Sequence, residues 1–214
     1  MTTLMINEIY HSIQGESSFV GLPCVFIRTM GCSLRCSYCD TEYAFYDGQE
    51  KEINWILKEV QKFKTKLFLL TGGEPLDQSN SLILLTLLCD QGYTACIETG
   101  GHLDISSIDE RVHIILDVKT PSSKMDKKNH YKNLDIITKK DEVKFVVGNE
   151  DDLNWSLNII EQYKLENKTN ILISPVFGEV DYQWLAQRII ESNKKIRLQI
   201  QQHKIIWGPK KKSV

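Results

Sequence analysis

The chain has 214 residues, 42% hydrophobic and 25% charged, with 26 Lys and Arg against 28 Asp and Glu for a formal net charge of −2. That length suits one domain with a full core, and interleaved, near-neutral charge excludes the basic stripe of a large nucleic-acid footprint. No apolar run approaches the roughly 18–20 residues of a membrane span, and Met1-Thr2-Thr3-Leu4-Met5 lacks the basic and apolar regions of a signal peptide, so a cytoplasmic protein binding neither membrane nor nucleic acid is expected.

Residues 1–22 read as an N-terminal extension packed on a single core domain of residues 23–200, followed by a C-terminal segment at 201–214. Within the core, apolar runs at 24–29, 67–70, 93–98, 113–117, 143–147, 170–174 and 196–200 predict strands. Between them Ile53, Ile56, Leu57, Val60 and Phe63 recur at spacings of three and four, as one face of a helix requires. Leu82, Leu85, Leu88 and Cys89 repeat that pattern, as do Leu153, Leu157 and Ile160, then Trp184, Leu185 and Ile189. Strands alternating with helices predict βα units and a mostly parallel sheet. Six or seven strands with few helices are too few to close an eight-stranded barrel, so an open, partial TIM-like α/β barrel is expected. Few helices leave apolar surface to cover, which predicts a homodimer. The Lys210, Lys211, Lys212 run reads as a solvated tail.

Residues 30–48 show no periodicity, and loops of that length in compact domains are usually functional or disordered. This one reads Gly31-Cys32-Ser33-Leu34-Arg35-Cys36-Ser37-Tyr38-Cys39-Asp40-Thr41. Thiolates at C-x₃-C-x₂-C spacing can fold around one soft-metal centre, and a reducing compartment favours metal over disulfide. Four ligands close a structural zinc or typical iron–sulfur site, whereas three leave one position open. Two other readings use the same residues: a zinc site completed by a distant His or Cys, and a thioredoxin-like pair at Cys36 and Cys39. Cys24, Cys89 and Cys96 lie in apolar patterns and read as core.

Thr71-Gly72-Gly73-Glu74-Pro75 follows the second core strand, and glycines there permit close backbone approach to a ligand. The bare motif is equally a βα turn. Later strands end in Ile97-Glu98-Thr99-Gly100-Gly101, in Asp117-Val118-Lys119 and in Ser174-Pro175-Val176-Phe177, at the C-terminal edge where α/β sites are built. Asp117 and Lys119 also read as a surface ion pair.

The cysteine spacing, with aromatic Tyr38 before the last Cys and the Gly-Gly-Glu-Pro turn one strand later, resembles the radical S-adenosylmethionine superfamily. The resemblance implies a [4Fe–4S] cluster on Cys32, Cys36 and Cys39, with the methionine end of S-adenosylmethionine on the open iron and a 5′-deoxyadenosyl radical formed on reduction. It implies cofactor contacts from Tyr38, Cys39, Asp40, from the exposed backbone at Gly73 and from Glu74 at the ammonium group, from Asp117, Val118 and Lys119 at the ribose and adenine, and from Ser174, Pro175, Val176 and Phe177.

A closer resemblance spans the chain. Ser12-Ile13-Gln14-Gly15-Glu16, Arg28, Cys39-Asp40-Thr41, Thr120-Pro121-Ser122-Ser123-Lys124-Met125 and Gln202-His203-Lys204-Ile205-Ile206-Trp207-Gly208-Pro209 are similar to the 7-carboxy-7-deazaguanine synthase family. That family implies a carbon–nitrogen lyase turning 6-carboxy-5,6,7,8-tetrahydropterin into 7-carboxy-7-deazaguanine with loss of ammonia, toward queuosine and related deazapurines. It implies Mg²⁺ on Thr41 and substrate contacts from Ile13, Gln14, Gly15, Glu16, Arg28, Thr71, His203 and Pro209. A reductant such as flavodoxin or ferredoxin is implied too, and no side chain acts as the catalyst itself. A guanidinium at Arg28 suits the substrate carboxylate. A glycyl-radical-enzyme activase is the nearest rival, and a non-catalytic iron–sulfur or zinc module is the rival of another class.

Overall fold

The computed structural model describes residues 2–214. Strands β1 (Thr3–Ile13), β2 (Pro23–Thr29), β3 (Gln49–Glu52), β4 (Leu67–Gly72), β5 (Thr94–Thr99), β6 (His113–Asp117), β7 (Glu142–Val147), β8 (Asn170–Pro175) and β9 (Arg197–Leu198) form one sheet in the order β3-β1-β2-β4-β5-β6-β7-β8-β9. From β2 to β9 every neighbour runs parallel, while β1 and β3 are antiparallel additions at one edge. Strand order stays open at both ends, and the expected partial barrel with few helices is borne out.

Helices α1 (Ile53–Val60), α2 (Asn80–Asp90), α3 (Asn133–Ile136), α4 (Glu150–Gln162) and α5 (Tyr182–Glu191) cover one face, while α6 (Gln202–Trp207) lies beside the cavity on the other. Asn149 and Asp181 cap α4 and α5 by accepting from the N–H groups of Asp152 and Trp184, which satisfies donors left free at a helix start. In α2 the buried leucines are Leu84, Leu85 and Leu88, so the face lies slightly off the one that Leu82 and Cys89 predict. Among the described residues no helix is long and apolar enough to cross a membrane.

Strand alternation divides the interior. Val25, Ile27, Phe68, Leu70, Ala95, Ile97, Ile114, Leu116, Val143, Phe145, Val147, Ile171 and Ile173 pack in the large core under the helices. Cys24, Phe26, Leu67, Leu69, Cys96 and Ile115 point to the other face and make a small second cluster. Further along the same strands that inner parity falls on Arg28, Thr71, Glu98, Asp117, Lys144 and Ser174. A residue at each of these positions lines a cavity instead of filling it.

Residues 3–13 are more than an extension packed on the core: they are β1, in the sheet itself. A register shift between Ile6 and Glu8 breaks the alternation that marks a strand in sequence. β3 reads Gln-Glu-Lys-Glu and carries no apolar signal. At the far edge, the strand expected over 196–200 shortens to the Arg197–Leu198 pairing with Leu172 and Ile173.

Candidate active site

The cavity has a volume of about 550 Å³ and lies at the C-terminal ends of the parallel strands. Cys32, Cys36 and Cys39 stand in its wall, half-buried and free of disulfides. Their loop is pinned from two sides. Ser37 donates from its N–H to the Ser123 carbonyl at 3.1 Å and from its hydroxyl to the Ser122 carbonyl at 2.5 Å. Glu74 N–H donates to the Gly31 carbonyl at 2.8 Å. A Cβ on Gly73 would overlap that same carbonyl, so only glycine fits. Burial pushes the Cys32 thiol up to about 11 and raises Cys36 and Cys39, while Lys119 draws all three down. Thiolate ligation of a metal there therefore releases protons. Tyr38 lies in the wall with its hydroxyl 3.2 Å from Thr120 Oγ1 and from the Val146 carbonyl, and burial raises it to about 12.

Glu74 is among the residues lining the cavity, and its carboxylate is bonded to protein groups. It is fully buried and accepts from Leu76 N–H at 3.0 Å, from the Thr99 hydroxyl at 2.8 Å and from Gly100 N–H at 2.7 Å. Its carboxylate ties the glycine turn to the end of β5, so the ligand-facing part of the motif is the Gly72-Gly73 backbone.

Asp117 and Lys119 are bonded at 2.8 Å, but the pair is largely buried in the cavity wall and not on the surface. Asp117 Oδ1 is buried without a hydrogen-bond partner, an acceptor aimed at something other than protein. Val118 does not join them. Alternation turns its side chain into the large core, while its N–H donates to the Lys144 carbonyl. Ser174, Pro175, Val176 and Phe177 form the opposite wall, with Lys204 Nζ 5.2 Å from the Phe177 ring centre.

The two ends of the chain meet here. Gln202 N–H donates to the Gly15 carbonyl at 3.0 Å, and a Cβ on Gly15 would overlap the His203 ring. Gly15 thus supports His203 from behind, whereas Ile13, Gln14, Glu16 and His203 line the cavity. Burial holds the His203 imidazole below its usual value, against the pull of Glu16. Asp40 binds Lys204 at 2.5 Å and takes 3.2 Å and 2.8 Å bonds from Gln201 and the Thr41 hydroxyl. Burial would raise the Asp40 carboxyl, but Lys204 and these bonds hold it far below the usual range.

Arg28 lies on the inner face beside Thr71, its register partner. Its Nε donates to Glu8 at 2.7 Å and its Nη2 to the Tyr10 hydroxyl at 3.0 Å, with the Tyr43 ring 5.6 Å away. Residues 209–213 are exposed, but the segment 209–214 runs along the cavity beside this group, with the Ser213 hydroxyl 2.5 Å from Glu8 and Lys212 over Tyr43.

The profile of the Radical SAM superfamily matches residues 26–189. A 7-carboxy-7-deazaguanine synthase of Chlorobaculum tepidum is 40% identical over 214 residues, covering 99% of this chain and 97% of its own. One from Thermoplasma acidophilum is 36% identical, covering 96% and 98%. The chain belongs to the 7-carboxy-7-deazaguanine synthase family of the Radical SAM superfamily. The structure of QueE from Escherichia coli shares the fold, with a TM-score of 0.78 at 21% identity and coverage of 95% and 96%. Streptococcus suis SuiB bound to S-adenosylmethionine shares it more distantly, with a TM-score of 0.54 over 80% of this chain and 45% of that one.

Membership brings a [4Fe–4S] cluster and S-adenosylmethionine, and the residues fit both. Among the described residues no three His, Cys, Asp or Glu are close enough to hold a single ion. The three thiols instead stand apart around one wall, which suits a four-iron cluster, whose thiolate ligands sit on different irons and so lie farther apart than the ligands of one metal. The bare Gly73 backbone and the unpartnered Asp117 oxygen offer polar contacts to a zwitterionic nucleoside. Sequence reasoning missed Glu8, Tyr10, Tyr43, Lys144 and Gln201 as members of this synthase site, and it placed Glu98 and Lys204 within motifs without giving either a role.

A Gly73→Ala substitution must displace the Gly31 carbonyl. We expect about 2–3 kcal/mol of destabilisation and a lowered thermal midpoint. An unchanged midpoint in thermal unfolding contradicts the close approach.

Proposed function

We propose that this chain catalyses conversion of 6-carboxy-5,6,7,8-tetrahydropterin to 7-carboxy-7-deazaguanine with release of ammonia. One observation carries the reading: the Gln14–Glu16 loop, Arg28, Thr71 and His203 converge on the same cavity as the three cysteines. A glycyl-radical activase has no need of that convergence. When bound, the reduced cluster and S-adenosylmethionine supply the radical that starts the ring contraction.

The chain's residues bind, orient and shield. Arg28 presents its remaining guanidinium N–H groups to the pterin carboxylate. Burial disfavours its charge, but Tyr10, Tyr43 and Glu8 more than offset this, so the guanidinium stays protonated. Glu16 accepts from ring N–H groups. Burial would raise its carboxyl, yet Lys144 and Gln201 hold it low. Gln14 stabilises that loop by accepting from Glu16 N–H at 3.2 Å. His203, neutral at pH 7, supplies one donor and one acceptor. Thr41 spends its hydroxyl proton on Asp40, which leaves its oxygen free to ligate Mg²⁺, a cation that takes hard oxygen donors. The unpartnered Asp117 oxygen accepts from a ribose hydroxyl, Phe177 flanks the adenine, and Pro209 closes the substrate side. The reductant is a low-potential electron carrier such as flavodoxin or ferredoxin, and the protein works in the cytoplasm as one core domain.

Anaerobic reconstitution followed by turnover with the pterin tests this reading: deazapurine absorbance and stoichiometric ammonia are expected, and their absence sinks it. In Arg28→Ala we expect KM to rise about thirtyfold or more, the equivalent of ~2 kcal/mol or more, with the cluster absorbance intact. Loss of the cluster in that variant would make Arg28 scaffold. The exposed Ile205, Ile206 and Trp207 of α6 support a homodimer. Sedimentation at micromolar concentration should give twice the chain mass, and a monomer mass contradicts it.

A further inference from the structure

Lys144 lies in a strand whose other residues are almost all apolar, and its side chain is nearly buried. Its ammonium is 3.0 Å from Glu16 Oε2, in direct contact with Glu98 Oε1, and 3.9 Å from Asp117 Oδ2. Asp117 is its register partner on β6, and Glu98 occupies the inner parity of β5 next along. Glu98 also accepts from the Thr71 hydroxyl at 3.5 Å, and the other oxygen of Glu16 takes a 3.0 Å bond from Gln201. Three carboxylates from three separate elements thus share one cation in a cavity wall. A lysine ammonium has three donors and no acceptor, and each carboxylate oxygen carries two lone pairs, so every carboxylate of the cluster retains acceptor capacity.

We propose that Lys144 is a positioning residue that holds Glu16 and Glu98 in place as acceptors for the N–H donors of the substrate and joins them to Asp117 on the cofactor side. The inference rests on the proposed pterin substrate, whose ring presents several N–H groups. Without the ammonium, three carboxylates repel at close range and one of them takes up a proton, turning an acceptor into a donor. The other charged and titratable groups facing this cluster are Lys119 on Asp117 with Tyr38 and the Cys36 thiol near that pair, His203 near Glu16 and Glu98, and Asp40 with Lys204 beyond Gln201.

The test is anaerobic calorimetric titration of the reconstituted holoenzyme with the pterin between pH 6 and 9, for the unaltered protein, Lys144→Met and Lys144→Arg. In Lys144→Met the pterin Kd is expected to rise about tenfold or more at pH 7 and to recover as pH climbs and the carboxylates ionise again. The unaltered protein should be flat over that range and Lys144→Arg intermediate. The double variant Lys144→Met/Glu98→Gln removes the uncompensated charge, so it should fold and still bind the pterin about tenfold more weakly, because Glu16 is no longer held. A normal pterin affinity in either Met variant, or a weakened affinity with no pH dependence in the single variant, overturns the proposal. Failure of the unaltered protein to bind the pterin counts instead against the proposed function.

Discussion

An inner sheet face with too few apolar side chains to fill it is the constraint on which the rest of the molecule depends. The helix-covered face is packed with branched residues, whereas the second cluster reaches only as far as Phe26, Leu69 and Ile115. Beyond those positions the parity delivers a guanidinium, two hydroxyls, two carboxylates and an ammonium. Burying charge is unfavourable unless it is paired, and here each charge has a partner: Arg28 with Glu8 and Lys144 with Glu16 and Glu98 across neighbouring elements, and Lys119 with Asp117 two residues before it. The pairing keeps the cavity open, polar and ordered before any ligand arrives.

The segments that close this cavity come from both ends of the chain and from the cysteine loop. Each is fixed by a close backbone approach that a side chain would block. Gly73 seats the loop against β4, and Gly15 seats His203 against the start of the chain. Residues 209–214 continue past that contact and settle on Glu8 and Tyr43, so the group that holds Arg28 also holds the end of the chain. The lysines that look like a solvated tail in sequence are exposed, and Lys212 lies over the Tyr43 ring.

Much of this was legible in the sequence, because a parallel strand buried on both faces is a continuous apolar run and a cysteine loop has a fixed spacing. The runs at 24–29, 67–70, 113–117 and 143–147 fall on β2, β4, β6 and β7 within a residue or two. The edge strands were not legible, since β1 carries an irregularity beside Glu8 and β3 is wholly polar. Most of the predicted site residues meet in one cavity. Gly15 and Val118 do not face it, because one supports a ring from behind and the other has the opposite strand parity. Lys144 was missed although it left a signal: a lysine inside Glu-Val-Lys-Phe-Val-Val, at the inner parity of a core strand. Its partners lie 46 and 128 residues away, a separation that spacing alone does not reveal.

The central claim is that three thiolates hold the cluster and leave one iron for S-adenosylmethionine. Electron paramagnetic resonance of the anaerobically reconstituted, reduced protein tests it most directly, recorded before and after saturating S-adenosylmethionine. A single [4Fe–4S] signal that changes when the cofactor is added is the predicted result. A signal that stays the same, with a fourth protein side chain on the cluster, would contradict it.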